Sequence, residues 1–362
     1  LAFSVLGAWV AAIQLLPAVS YVTEYSRRTA TTTQATEARG VAYSSSWSLH
    51  PEEVASLVVP EFVGNSAGGA EWASGTYWGR NVFKLNHEYG GFVVLLLAAL
   101  AFFGAPGRGI RLTLVGIGVT AVLFALGSHT PVWRVFYEVV PGISLFRAPS
   151  IATFLFGFGA VTLMAFGVDR VLGLGDGLGT GDPAGKLPPE GEDPREDKKI
   201  LWFLMGTTGL AFVAAALAST GTLTDLWVSV LYSDLAPNKA DALSRAQEFI
   251  TRGLFITTVL SGAILALVWG AQKERVPGIL WVFAVGVLIV ADLARVDDAF
   301  IQTMEFADWA GPEPNTRYLM EQQESQEPFR VLAMGGDPGV AGSGQDVKPT
   351  IHGIELASGH HP

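Results

Sequence analysis

Apolar runs recur along the chain at residues 1–16, 90–103, 112–126, 151–168, 200–218, 254–269 and 279–291. With a few flanking residues most of them reach the roughly 20 positions that cross a bilayer as a helix. Seven such runs in one chain predict an all-α polytopic membrane protein with about seven transmembrane helices over residues 1–291. The stretches between them are unequal. Residues 21–88, 127–150 and 219–253 are long and polar, 169–199 is a linker, and the remaining connections are short. After Ala291 the pattern turns polar again. Thr316 to Gln326 reads as a helix, Phe329 to Ala333 as a strand, and a glycine-rich loop runs on to Gln345, so residues 292–362 look like the start of an α/β tail domain. The chain opens inside an apolar run and stops at Ser358-Gly-His-His-Pro362, which reads as a fragment cut at both ends.

Composition strengthens the membrane reading: 15% of residues are charged and mean hydropathy is +0.38, against about 25% charged in an ordinary soluble domain. Positive residues set the orientation. Arg108, Arg111, Arg170, Lys186, Arg195, Lys198, Lys199, Lys273 and Arg275 put nine of the 23 Lys and Arg into about 45 loop positions. Those loops are expected on the cytoplasmic side, with 21–88, 127–150, 219–253 and the tail outside. A net charge of −10 argues against a nucleic-acid partner, which needs a basic stripe. The chain has no cysteine, which excludes disulfides, thiolate nucleophiles and Cys-ligated metal sites.

The 21–88 loop carries the densest candidate chemistry. Pro51 to Val59 is expected to be a short helix with Pro at its first position and Glu52 and Glu53 in the first turn, where carboxylates suit the dipole. Val54, Leu57 and Val58 would form an apolar stripe able to lie along the membrane interface. Tyr77-Trp-Gly-Arg-Asn81 and Leu85-Asn-His-Glu-Tyr-Gly-Gly91 then bring aromatic and polar groups to the start of the next span. In the second loop Thr130-Pro131 marks a helix start and Pro141-Gly142 its end. Arg147 follows just before a span, where a guanidinium can take phosphate oxygens bidentately or simply touch headgroups. A divalent cation is the cofactor that His50, Glu52, Glu53, His87 and Glu88 could hold, but no spacing demands one, and no metal ligand is assigned. Gly173-Leu-Gly-Asp-Gly-Leu-Gly179 mimics a nucleotide loop but follows a span and runs into an acidic linker. Gly157 and Gly159 read as helix-packing positions.

The order Gln14-Leu-Leu-Pro17, Ser26-Arg27, Leu49-His-Pro-Glu-Glu-Val-Ala-Ser-Leu-Val-Val-Pro-Glu-Phe-Val-Gly64, Tyr77-Trp-Gly79, Asn86-His-Glu-Tyr-Gly-Gly91, Gly127-Ser-His-Thr-Pro131 and Phe146-Arg-Ala-Pro-Ser150 resembles the bacterial YfhO family of polytopic membrane proteins. Phe329-Arg-Val-Leu and Gly359-His-His-Pro resemble that family's tail. Ile151 departs from the second Arg that the family often carries there. The resemblance implies a GT-C type glycosyltransferase of the bacterial cytoplasmic membrane. Its partners would be a polyprenyl-phosphate sugar donor, an envelope glycopolymer or lipid acceptor, and membrane lipids. It also implies that the catalytic base lies in a loop upstream of Leu1. On that reading Arg147 is the first candidate for the donor phosphate, with Arg80 and Lys84 behind it. His87 and Glu88 would stand near the acceptor, and Glu61 could do similar work. The competing reading is a non-catalytic scaffold, or a transporter for lipid-linked envelope precursors, which would be expected to place ionisable groups near the bilayer midplane.

Overall fold

The computed structural model describes residues 37–64, 66, 75–81, 88–103, 108–172, 194–232, 234–298, 301, 303–325, 329–331 and 348–356, with scattered positions between 9 and 20. The chain divides into two units, Leu1–Ile301 and Gln302–Pro362. In the first, α1 (Glu37–Ser44) is followed by two 3₁₀ turns, Pro51–Leu57 and Pro60–Val63. Then come α2 (Phe92–Leu100), α3 (Arg108–Ala125), α4 (Pro131–Val139), α5 (Thr153–Leu172), α6 (Pro194–Ser219), α7 (Thr222–Leu231), α8 (Pro237–Gln272) and α9 (Gly278–Asp297).

Five stretches, Arg108–Ala125, Pro149–Leu172, Asp197–Ser219, Pro237–Gln272 and Gly278–Asp297, are long and apolar enough to cross a membrane. A helix suits that setting because it satisfies its own backbone polar groups where lipid cannot. Phe154, Phe158, Trp202, Leu210, Phe283 and Val290 remain exposed on these helices, an arrangement that hydrocarbon tolerates and water penalises. The run at 1–16 falls almost wholly outside the described residues.

The run at 90–103 differs from its reading as a span. It forms α2, nine residues and about 14 Å long, less than half of the roughly 30 Å hydrocarbon core. Val93, Leu97 and Leu100 on it are fully buried, packed with Ile200 and Leu204 of α6, Leu260, Ile264 and Val268 of α8, and Trp281 and Val285 of α9. A helix that is apolar all round needs cover on every side, and here protein supplies it. Gly167 of α5 lets the two backbones touch: a Cβ there would collide with the Leu97 carbonyl of α2. A Cβ added at Gly159 would come within 3.2 Å of the Leu114 carbonyl oxygen of α3, as expected of a packing position, whereas a Cβ on Gly157 would meet nothing.

The 219–253 segment, read as a loop, is largely helical. It holds α7 and the first turns of α8, whose 36 residues extend about 54 Å. Lys239, Asp241, Arg245, Glu248 and Arg252 all sit in the N-terminal half of α8, so its charge is confined to that half and the other half is apolar. At the other end of the bundle, Arg170 of α5 donates to the Phe103 carbonyl (2.7 Å) and pairs with Asp197 of α6 at 3.3 Å. Gln272 at the end of α8 donates to the Asp197 carbonyl.

In the second unit α10 (Phe306–Ala310) and α11 (Pro314–Ser325) precede β1 (Arg330–Val331), then α12 (Lys348–Ile351) and β2 (Glu355–Leu356). β1 and β2 pair in parallel with Arg330 opposite Glu355, and their side chains form an ion pair at 3.0 Å. The expected helix and strand are both present. The boundary falls at Ile301 rather than Ala291 because α9 continues to Asp297. The 173–193 linker and the glycine-rich 332–347 segment lie outside the described residues.

Candidate functional site

The loop read as the chemical centre is folded onto the bundle. Leu49 N–H donates to the Ala125 carbonyl at the end of α3 (2.8 Å), Ala148 N–H to the Ser46 carbonyl (2.9 Å), and Ser44 Oγ to the Ser144 carbonyl (2.8 Å). Two non-glycine residues at this junction, Trp47 (φ 60°) and Ala148 (φ 59°), hold left-handed backbone, a conformation that persists only where the surroundings enforce it. Val63, Phe62 and Trp78 anchor the other side of the loop against Ala215 and Ala218 of α6 and Ala246 and Ile250 of α8. The Trp78 indole N–H is satisfied by the Phe62 carbonyl at 2.9 Å.

Pro51–Leu57 is a 3₁₀ helix with Pro at its start, but its apolar residues do not form a single outward stripe. Glu52, Glu53 and Ser56 are fully buried while Val58 is 43% exposed, so the face turned inward is the one that carries the carboxylates. Glu53 is saturated: its Oε2 accepts the His50 N–H at 2.9 Å and its Oε1 the Tyr77 hydroxyl at 2.8 Å. Glu52 Oε1 accepts the Arg80 N–H at 3.1 Å and lies 3.4 Å from Arg80 Nε, while its Oε2 has no hydrogen-bond partner among the described residues. Arg80 also donates to the Leu231 carbonyl at 2.9 Å and stacks 4.5 Å from the Tyr232 ring centre. Lys239 of α8 sits over the Tyr77 ring at 4.8 Å and donates to the Asn81 carbonyl.

His50 Nδ1 and His129 Nε2 share a hydrogen bond of 2.9 Å, joining the first loop to the turn after α3. Desolvation, then the His50 and Arg80 charges, hold exposed His129 below the ordinary imidazole range, and Glu52 only partly offsets them. Burial and then Glu53 push the Tyr77 phenol up, and burial and then Glu52 do the same to Tyr232. At neutral pH the cluster therefore keeps both phenols protonated and biases the surface imidazole toward its neutral form, beside the buried Glu52 and Glu53 side chains.

A second buried network lies between the loop and the spans. Arg295 of α9 pairs with Glu61 from the Pro60–Val63 turn and, at 3.2 Å, with Asp292. Asp292 also accepts the Tyr89 hydroxyl (2.7 Å) and the Val93 N–H at the start of α2 (3.1 Å). Gly253 of α8 makes room for the Glu61 carboxylate, since a Cβ there would overlap it.

A groove of about 600 Å³ runs along α3, with Gly116, Ile117, Thr120 and Phe124 on one face and Phe136 and Leu155 closing it. Its lining is almost entirely apolar.

The sequence candidates are distributed unevenly over these features. Arg80 is committed to Glu52, and Glu61 to Arg295. Arg147 is exposed, between the 3₁₀ turns Ile143–Leu145 and Pro149–Ala152 that flank the apolar groove. Glu88 is half-buried just ahead of α2. Lys84 and His87 lie outside the described residues. Among the described residues no three His, Asp or Glu side chains are grouped to hold a metal ion. The Thr130–Pro131 start is as expected, although the Thr130 hydroxyl donates back to the Leu123 carbonyl instead of capping α4. His129, Tyr232, Asp292 and Arg295 were missed. His129 stood in the Gly127–Pro131 motif without a role assigned to it, and Asp292 and Arg295, polar residues three apart near the end of an apolar run, also left a trace.

No family model, curated protein or solved structure matches the chain.

Proposed function

We propose that this chain is the membrane-embedded part of a GT-C type glycosyltransferase akin to the YfhO family. It would transfer a sugar from a polyprenyl-phosphate donor to an envelope glycopolymer or lipid, at the face carrying the 45–81 loop. In a bacterial cytoplasmic membrane that face is the extracytoplasmic one. The observation that carries the reading is the apolar groove along α3, with exposed Arg147 between the two turns that border it and His129 five residues beyond its lining residue Phe124.

A prenyl chain fits such a groove, and a guanidinium at its edge matches the phosphate. In the reaction an acceptor hydroxyl oxygen bonds the anomeric carbon, and the bond from that carbon to the phosphate oxygen breaks. The phosphate leaves with the electron pair, and Arg147 stabilises the charge. The hydroxyl proton needs a base. The resemblance puts that base upstream of Leu1; within the described residues His129 is the alternative, because it is exposed, is held below the ordinary imidazole range, and shares a hydrogen bond with His50.

The test is sugar transfer from a polyprenyl-phosphate donor in reconstituted vesicles. Arg147→Ala is expected to abolish transfer with membrane insertion intact, and normal transfer in that variant removes Arg147 from the site. One observation favours the transporter reading instead: Glu61, Asp292 and Arg295 form a buried ionisable network of the kind that marks transport pathways. Against it, α9 is unbroken from Gly278 to Asp297, whereas transporter sites tend to sit at interrupted helices. Flux of a lipid-linked sugar without transfer would decide for the transporter.

A further inference from the structure

A second groove, of about 750 Å³, lies between α6 and α8, away from the α3 groove. The two helices run antiparallel, as their contacts fix: Gln247 donates to the Ala218 carbonyl, and Thr208 Oγ1 meets Ser261 Oγ at 2.8 Å. Both walls change polarity in the same direction. Phe212 of α6 and Phe255 of α8 line the deep end, Glu248 and Arg252 the middle, and Ser219 and Ser244 the outer end. Glu248 and Arg252 are exposed and stand one turn apart on the same helix face. They also sit where the charged half of α8 gives way to its apolar half. The groove therefore spans the depth of one lipid, from headgroup to upper acyl chain.

The local charge is balanced. Arg252 and Glu248 cancel within the groove, and Asp241 and Arg245 in the turns above pair with each other. An anionic headgroup would bring its charge against Glu248 with no second cation among the described residues that line the groove. A headgroup carrying both a phosphate and a primary ammonium matches both side chains. The guanidinium has five N–H donors, so it can hold other partners and a phosphate oxygen together.

We infer that this groove is a binding site for one zwitterionic, ethanolamine-type phospholipid of the leaflet nearest the 45–81 loop. Its phosphate lies on Arg252, its ammonium on Glu248, and an acyl chain rests on Phe212 and Phe255. The assignment is independent of the glycosyltransferase reading, because it uses none of the residues of the α3 groove.

The test is native mass spectrometry of the purified chain. It is equilibrated with equal amounts of phosphatidylethanolamine, phosphatidylcholine and phosphatidylglycerol of identical acyl chains, then stripped of bulk lipid. One phosphatidylethanolamine should remain bound, favoured about tenfold over the other two, the factor set by one charge-assisted hydrogen bond. Phosphatidylcholine is the informative competitor, since its quaternary ammonium keeps the charge but has no N–H for Glu248. Glu248→Gln is isosteric at an exposed position and should bring phosphatidylethanolamine and phosphatidylcholine level. Glu248→Lys should turn the preference toward phosphatidylglycerol. Equal retention of all three lipids by the wild-type chain would overturn the inference. So would an undiminished phosphatidylethanolamine preference in Glu248→Gln, or a second polypeptide occupying the groove in place of lipid.

Discussion

Replacing Arg295 with Met leaves the volume of its aliphatic stem but removes the cation that two buried carboxylates face. The side chains of Glu61 and Asp292 are 8% and 0% exposed, and that of Arg295 is 16% exposed. Breaking a buried pair by removing one partner costs about 3–5 kcal/mol, mostly because a charge is left without compensation. The structure says which carboxylate carries that cost. Asp292 keeps the Tyr89 hydroxyl and the Val93 N–H. The Glu61 Oε1 loses its cation, and the Glu61 Oε2 already has no partner among the described residues. Arg295→Met alone should therefore lose about 3 kcal/mol or more. Adding Glu61→Gln should recover about half or more of it, because a neutral amide is far cheaper to leave buried, whereas adding Asp292→Asn should recover little. Denaturant unfolding in detergent micelles, followed by tryptophan fluorescence, measures all four chains. A loss below about 1 kcal/mol for Arg295→Met, or equal rescue by the two second substitutions, would refute the reasoning.

The other expectations are narrower. Gly253→Ala puts a methyl group into the Glu61 carboxylate and should cost about 1–3 kcal/mol by overpacking, in the same unfolding assay; in an Arg295→Met background, where Glu61 is no longer tethered, the cost should shrink. His129 is held below its ordinary pKa in the folded chain, so the unfolded chain binds the extra proton first. Its contribution is then complete above about pH 6.5 and lost as pH falls from there toward its lower folded value, and His129→Phe should flatten stability across that window. A proton-accepting His129 also requires that His129→Phe lose sugar transfer while Arg147→Ala and His129→Phe both keep wild-type helicity by circular dichroism.

The spans were legible in the sequence because a bilayer imposes a length and a composition on any helix that crosses it, and runs of 15 or so apolar residues report that directly. The same logic misread residues 90–103. Hydropathy does not distinguish lipid from protein as the apolar surroundings, and the five-helix packing around Val93, Leu97 and Leu100 is a tertiary fact. Pro51 and the two carboxylates after it fixed a helical turn at that place. They could not fix which way the turn faces. Burial of Glu52 and Glu53 depends on Tyr77, Arg80 and Lys239, residues 24 or more positions away that supply the hydrogen bonds and charge.

What the sequence determined by itself is therefore the local and the periodic: a mostly helical membrane chain, its helix starts at Pro51 and Pro131, and a polar tail with a helix and a strand. What the tertiary structure alone decided is the company each polar group keeps. His50 meets His129 across 79 positions, and Glu61 meets Arg295 across 234. No pattern along the chain encodes such pairs, because a buried charge is tolerable only where the fold delivers its partner.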